Sequence, residues 1–183
     1  DGDDDSYDQL MIWQTRNRVF FHVAITRRSI ILLLQRLEEA QSYALINKCD
    51  HVLLFLHSEG GDAYAGLSGM NHIECARVPI HTIADGLVAS AATFLLLAGS
   101  TRYSMRHSSV LIHQMSTGFW GKYADMIDEM QNTHQLMDAF RRIYTSKTKI
   151  RKKKLETILN KELTMTASQC LEFGITDAIY APS

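Results

Sequence analysis

An α/β fold is predicted by three observations. Short apolar or β-branched runs alternate with stretches of helical period, glycine and proline sit at the junctions, and 46% of the 183 residues are hydrophobic. The order strand, helix, strand, helix implies parallel pairing through right-handed crossovers. A chain of this length buries a sizeable core, and one domain is expected.

The elements follow in order. Residues 1–5, Asp1-Gly2-Asp3-Asp4-Asp5, read as an acidic solvated tail, which leaves 6–183 for the domain. After Arg18, the run Val19-Phe20-Phe21-His22-Val23 reads as a strand. Residues 29–45 place Ile30, Leu33, Leu34 and Leu37 at helical spacing, with Glu38 and Glu39 on another face. Residues 52–56 form the next strand and lead into Gly60-Gly61, and Asp62 is placed to cap a helix through Met70, Ile73 and Cys75. Pro79 then breaks the chain before a strand at 80–84.

Residues 83–99 run from a β-rich stretch through small residues into an apolar helix pattern, and 87–98 read as a buried core helix. That run falls short of the roughly 18 to 20 apolar residues of a membrane span. Ser90 lies at its start. There a serine is either an N-cap or a nucleophile held where free N–H groups favour developing negative charge. His113 ends the short run Ser109-Val110-Leu111-Ile112-His113-Gln114, so a strand can deliver an imidazole to the edge of a site. Gly60-Gly61 allows close backbone approach and offers N–H groups to an oxyanion.

Beyond His113, Ser116-Thr117-Gly118-Phe119-Trp120-Gly121 is punctuated by glycine. Residues 124–144 then form a long helical pattern carrying Met126, Ile127, Met130, Met137, Phe140 and Tyr144, a stripe suited to core or an oligomer interface. The basic residues Lys147, Lys149, Arg151, Lys152, Lys153 and Lys154 read as a solvated helix end, without the aromatic interleaving of a nucleic-acid surface. A formal net charge of −1 argues against nucleic acid as a partner, and no membrane partner is expected. Cys49, Cys75 and Cys170 suggest neither a disulfide framework nor a zinc site. Reduced thiols and the lack of a secretory pattern at the start fit a cytoplasmic or organellar interior. No metal or cofactor is expected.

Four segments in order carry a resemblance. Ser58-Glu59-Gly60-Gly61 is similar to a Ser-Pro-Gly-Gly loop, and residues 86–99 to a Gly-x-Ala-Ala-Ser segment followed by an apolar helix ending Ala-Gly. Leu111-Ile112-His113-Gln114 is similar to Met-Ile-His-Gln. Residues 161–174, ending Glu172-Phe173-Gly174, are similar to a segment of the form Arg-Asp-x-x-x-Ser-Ala-x-Glu-Ala-x-Glu-Tyr-Gly. From about residue 6 to 180 the chain thus resembles the ClpP family, the proteolytic subunit of the Clp protease, a serine peptidase.

The resemblance implies a ClpP/crotonase-like fold of repeated ββα units with a protruding strand-helix handle at about 116–150. It implies Ser90 as nucleophile, His113 as general base and Glu162, at the position of the family aspartate, as the third member; the nearby Asp177 is not at that position. Gly61 and Ala91 would donate backbone N–H groups to the oxyanion. Gly60, Asp62, Met115, Thr117 and Gly118 would line the path of an extended peptide. Polypeptide substrates, two stacked heptameric rings and a Clp-type ATPase partner are implied as well. Leu53, Phe55 and Tyr103 fall near the family's docking pocket for ATPase loops, where core packing explains them equally well. The family's longer N-terminal segment, which forms axial pore loops, corresponds to a shorter acidic stretch.

Three positions depart from the pattern: Glu59 and Met115 replace prolines, and Lys161 replaces the arginine beside the acid. Glu162 in place of aspartate, Glu59 and the shorter N-terminal stretch keep a second expectation open, a catalytically weak or silent structural subunit paired with active paralogues, against which Ser90 and His113 argue. A crotonase-type acyl-CoA enzyme is a third, disfavoured by Ser90 and His113.

Overall fold

In a computed structural model of the chain, residues 7, 9–115 and 122–181 are described. They form a mixed sheet packed against helices, as the alternating pattern predicts. β1 (Ile12–Thr15) and β2 (Arg18–Phe21) make an antiparallel hairpin, and α1 (Arg27–Asn47) crosses to β3 (Val52–Ser58), parallel to β2. α2 (Ala63–Glu74) crosses to β4 (Ile80–Ala89), parallel to β3, and α3 (Ala92–Leu97) leads to β5 (Thr101–Ser104) on the other side of β4. β6 (Ser109–Leu111) follows, then α4 (Tyr123–Lys147), α5 (Lys152–Leu159), β7 (Met165–Thr166), α6 (Ala167–Glu172) and β8 (Ala178–Ile179).

Strand alternation sorts the side chains onto two faces. Val19, Phe21, Val52, Leu54, Leu56, Ile80 and Ala84 join the main core with Ile30, Leu33 and Leu37 of α1 and Phe94 to Leu97 of α3. Phe20, Leu53, Phe55, Ile83 and Tyr103 form a second, smaller cluster.

α1 starts two residues earlier than its apolar period suggests. The reason is a capping box: Ser29 N–H donates to Thr26 Oγ1, and Thr26 N–H donates to Ser29 Oγ, each at 2.9 Å. Ser29 is therefore the third helical residue and not the first.

The largest departure from the sequence reading lies in 80–98. β4 continues five residues past the expected end, and 87–89, expected to be helical, pair as strand with β6. Only Ala92–Leu97 is helix. Ala89 favours helix and Gly86 disfavours both elements, so pairing with the parallel partner overrides the local preference here. β4 thus has two halves: the first pairs β3 and β5, the second pairs β6 and, at Val88, still meets Ser58 of β3, and β7 closes against β6 antiparallel.

α4 also has two halves. Leu136, Met137, Phe140 and Tyr144 are buried, whereas Tyr123, Met126, Ile127 and Met130 are exposed. The basic run straddles a junction instead of closing one helix: Lys147 ends α4 and pairs with Glu74, and Lys152 to Lys154 open α5. Among the described residues, no helix is long and apolar enough to cross a membrane. The acidic stretch 1–5 and residues 116–121 lie outside the described residues.

Candidate active site

Two turns face each other at the end of β3 and β4. The first, Ser58 to Asp62, contains Gly60 at φ +95° and Gly61 at φ +145°. A Cβ on Gly60 would sit 2.6 Å from the Ala89 carbonyl oxygen and 2.7 Å from Ser90 Cβ, so only glycine lets the turns touch. A parallel bridge to Ile25 anchors the loop: Ile25 N–H donates to Gly60 O, and Asp62 N–H to Ile25 O, each at 2.8 Å. Asp62 caps α2 as predicted, its carboxylate accepting from Ala65 N–H at 2.9 Å.

The second turn centres on Ser90. Its φ of +54° is left-handed, a conformation that costs a non-glycine residue about 1–3 kcal/mol. Ser90 is thus not the helix cap; Ala91 occupies that position, with no side-chain cap. Several bonds hold the strained residue. Its N–H donates to Leu111 O at 2.9 Å, and its carbonyl accepts from Thr93 N–H at 2.9 Å and from the Thr93 hydroxyl at 2.6 Å. The Thr93 hydroxyl lies 2.7 Å from the Tyr144 hydroxyl of α4. Tyr144 is fully buried, and burial pushes its pKa up, so it remains a neutral phenol.

His113 arrives by topology. Parallel pairing sets Ala89 opposite Leu111, so Ser90 and His113 leave adjacent strand ends. Both line a pocket of about 70 Å³ together with Gly61, Ala63, Ala91, Phe94, Met115, Phe140 and Tyr144. The N–H groups of Gly61 and Ala91 have no partner among the described residues, which leaves two donors at this pocket. The Ser90 hydroxyl and the His113 ring are likewise not hydrogen-bonded to any described residue.

Of the remaining predicted residues, Met115 lines the pocket and Gly60 touches the Ser90 turn, whereas the two acids, Glu162 and Asp177, lie away from the pocket. Glu162 is exposed on the segment between α5 and β7, outside the pocket lining and without a hydrogen bond to His113. Asp177 is engaged elsewhere, its Oδ2 accepting from Arg102 N–H at 2.8 Å. Gly60 is buried beneath the Ser90 turn, and Met115 N–H points to Met137 Sδ at 3.4 Å. Thr117 and Gly118 lie outside the described residues.

Residues 5–183 match the family model described as Clp protease. The chain belongs to the Clp protease family. Membership supports a peptidase function, and the mixed α/β architecture agrees with the ClpP fold. Within this family member, the Thr93–Tyr144 contact and the pocket walls Phe94 and Phe140 were not singled out as site residues by sequence reasoning. The available signal was weak: Thr93 places a hydroxyl between Ala91-Ala92 and the apolar run Phe94 to Leu97, and Tyr144 ends the methionine-rich stripe.

Proposed function

We propose that the chain is a serine-type endopeptidase subunit that hydrolyses peptide bonds of unfolded polypeptides. The carrying observation is one pocket that holds Ser90 and His113 beside the two unpartnered N–H groups of Gly61 and Ala91. In this reading His113 takes the proton of Ser90 as its Oγ attacks the scissile carbonyl, and the two amides stabilise the oxyanion. His113 then delivers the proton to the leaving amine, and water repeats the sequence on the acyl-enzyme. Glu162 orients the imidazole, and the Ser90 to His113 contact tightens when substrate is bound.

The substrate lies extended between Gly61-Asp62-Ala63 and the segment after Met115, taking strand-type main-chain bonds along Gly60, Asp62, Met115, Thr117 and Gly118. Residues 6–183 act as one peptidase domain with a handle at about 116–150. The exposed apolar half of α4 supports assembly, in our reading two stacked heptameric rings, because Tyr123, Met126, Ile127 and Met130 are then covered. A Clp-type ATPase docks near Leu53 and Tyr103, which line a depression with Arg18, His51, His81 and Tyr180. The proposed site of action is a cytoplasmic or organellar interior.

An active-site serine reagent tests the assignment. It is expected to label Ser90, with Ser90→Ala abolishing both labelling and cleavage of an unstructured protein. Labelling of another serine, or unchanged cleavage by the variant, rejects it. Native mass measurement tests the assembly, and a stable monomer would remove the ring proposal.

A further inference from the structure

β3 and β4 keep step from Val52 opposite Ile80 to Leu56 opposite Ala84, then slip, and the next pair is Ser58 opposite Val88. One residue of β3, His57, stands against three of β4: Asp85, Gly86 and Leu87. This is a bulge, and bulges re-aim the strand that follows. At the slip, the Leu87 N–H donates to a side chain, His57 Nδ1, at 3.0 Å. The ring has space because residue 86 is glycine; a Cβ there would lie 2.4 Å from Nδ1. Gly60 follows His57 by three residues, and Ser90 follows Leu87 by three. The imidazole therefore ties the two arms of the site together just before they reach it.

We propose that His57 is a positioning residue: as a neutral imidazole it locks the nucleophile strand to the glycine loop, and the lock opens when the ring takes a proton. An imidazole with its proton on Nε2 offers Nδ1 as an acceptor, whereas an imidazolium has two donors and no acceptor. Protonated, it faces the Leu87 N–H donor to donor. The titratable groups facing it are His22, just past β2, with ring centroids 5.6 Å apart, and beyond it Asp85 on β4. His22 Nε2 lies 3.1 Å from Asp85 Oδ2, so that carboxylate is already engaged. Burial lowers the His22 pKa below its ordinary 6.5, against the opposing pull of Asp85, so His22 adds no positive charge beside His57 at neutral pH. The effect of the lock on catalysis rests on Ser90 being the nucleophile; the lock itself does not.

The test compares the wild-type protein with His57→Asn, whose side-chain oxygen accepts but does not titrate, and His57→Ala, which cannot accept. Two quantities are read between about pH 5 and 8: the exchange protection of the Leu87 amide and the rate at which a fluorophosphonate labels Ser90. Wild-type protection is expected to fall about five- to tenfold on acidification, to stay high in His57→Asn, and to be low throughout in His57→Ala. At neutral pH, labelling of His57→Asn stays within about twofold of wild type, and that of His57→Ala slows about tenfold. Equal Leu87 protection in wild type and both variants at every pH overturns the lock, and should His57→Ala fail to fold, pH-independent protection in the wild type does the same. Equal labelling of the two variants overturns the positioning role. Absence of Ser90 labelling in the wild type overturns the peptidase reading instead, and exchange alone then decides the lock.

Discussion

The glycine turn at Ser58 to Asp62 and the serine turn at Ala89 to Ala92 touch, both hold residues in left-handed backbone, and they reach it by opposite means. Gly60 and Gly61 adopt positive φ with no Cβ to oppose it, and their turn is fixed by backbone bonds to Ile25 and by the Gly60 N–H donating to the Ser58 hydroxyl at 3.2 Å. Ser90 carries a side chain through the same region, so its turn is held by Leu111, by both donors of Thr93 and, through Thr93, by Tyr144. In the proposed function Ser90 is needed for its hydroxyl, which glycine lacks. The strain stays, and surrounding bonds hold it.

Removing the glycines attacks the side of the comparison that relies on space. Gly60→Ala places a Cβ against the Ala89 carbonyl and Ser90 Cβ, and Gly61→Ala places one 2.2 Å from the Ile25 carbonyl oxygen. Each is expected to destabilise by about 3 kcal/mol or more and to lower peptidase activity at least about 100-fold, read by denaturant unfolding and peptide cleavage. Wild-type activity in Gly60→Ala would show that the two turns do not need contact.

The proposed role of Glu162 as third member is tested against Asp177. Glu162→Gln is expected to reduce kcat about tenfold or more with little change in stability, whereas Asp177→Asn, at a residue bonded to Arg102, mainly lowers the unfolding midpoint. The reverse ranking in activity would move the third role to Asp177.

The tether at Ser90 is tested by Tyr144→Phe and Thr93→Ala, each expected to cost about 1 kcal/mol of stability and a fewfold loss in kcat with KM held. The double variant should fall short of the sum, because both act on one chain of hydroxyls. Strict additivity would mean that α4 does not reach Ser90 through Thr93.

The smallest effect is a pH dependence of the frame. Burial holds the His22 and His81 pKa values below the ordinary 6.5, His81 with help from His51. In the window just below 6.5 the unfolded chain therefore binds more protons than the native one, and stability rises with pH across it. The thermal midpoint should fall on acidification through that window, and less so in His22→Gln. An unchanged slope in the variant would assign the effect elsewhere.

Much of the frame was legible in the residue pattern. The apolar period of α1, the cap at Asp62, the break at Pro79 and the strand and helix alternation are local signals, set by burial periodicity and backbone chemistry within a few residues. β1, β5, β7 and β8, two to four residues each, carry too little pattern to be read alone. Of the candidate site, Ser90, His113 and the glycine pair stood out because such residues at the ends of apolar runs are chemically conspicuous. His57, Thr93 and Tyr144 did not, since an imidazole filling a bulge and two hydroxyls meeting between helices leave no spacing signal.

The alternation of the main strands and helices, from which the parallel pairing of β2, β3 and β4 was expected, and the candidate site residues Ser90, His113 and Gly60-Gly61 were legible in the sequence itself, because hydrophobic period and turn chemistry act at short range; the antiparallel pairs β1–β2 and β6–β7 were not. Only the tertiary structure decided where β4 ends, that Ser90 is left-handed instead of a helix cap, and that it opens onto the same pocket as His113. Those outcomes depend on a slipped register and on hydrogen bonds to β6 and α4, partners far away in the chain. Those distant partners override the local preference of Ala89 for helix, worth less than about 1 kcal/mol per residue.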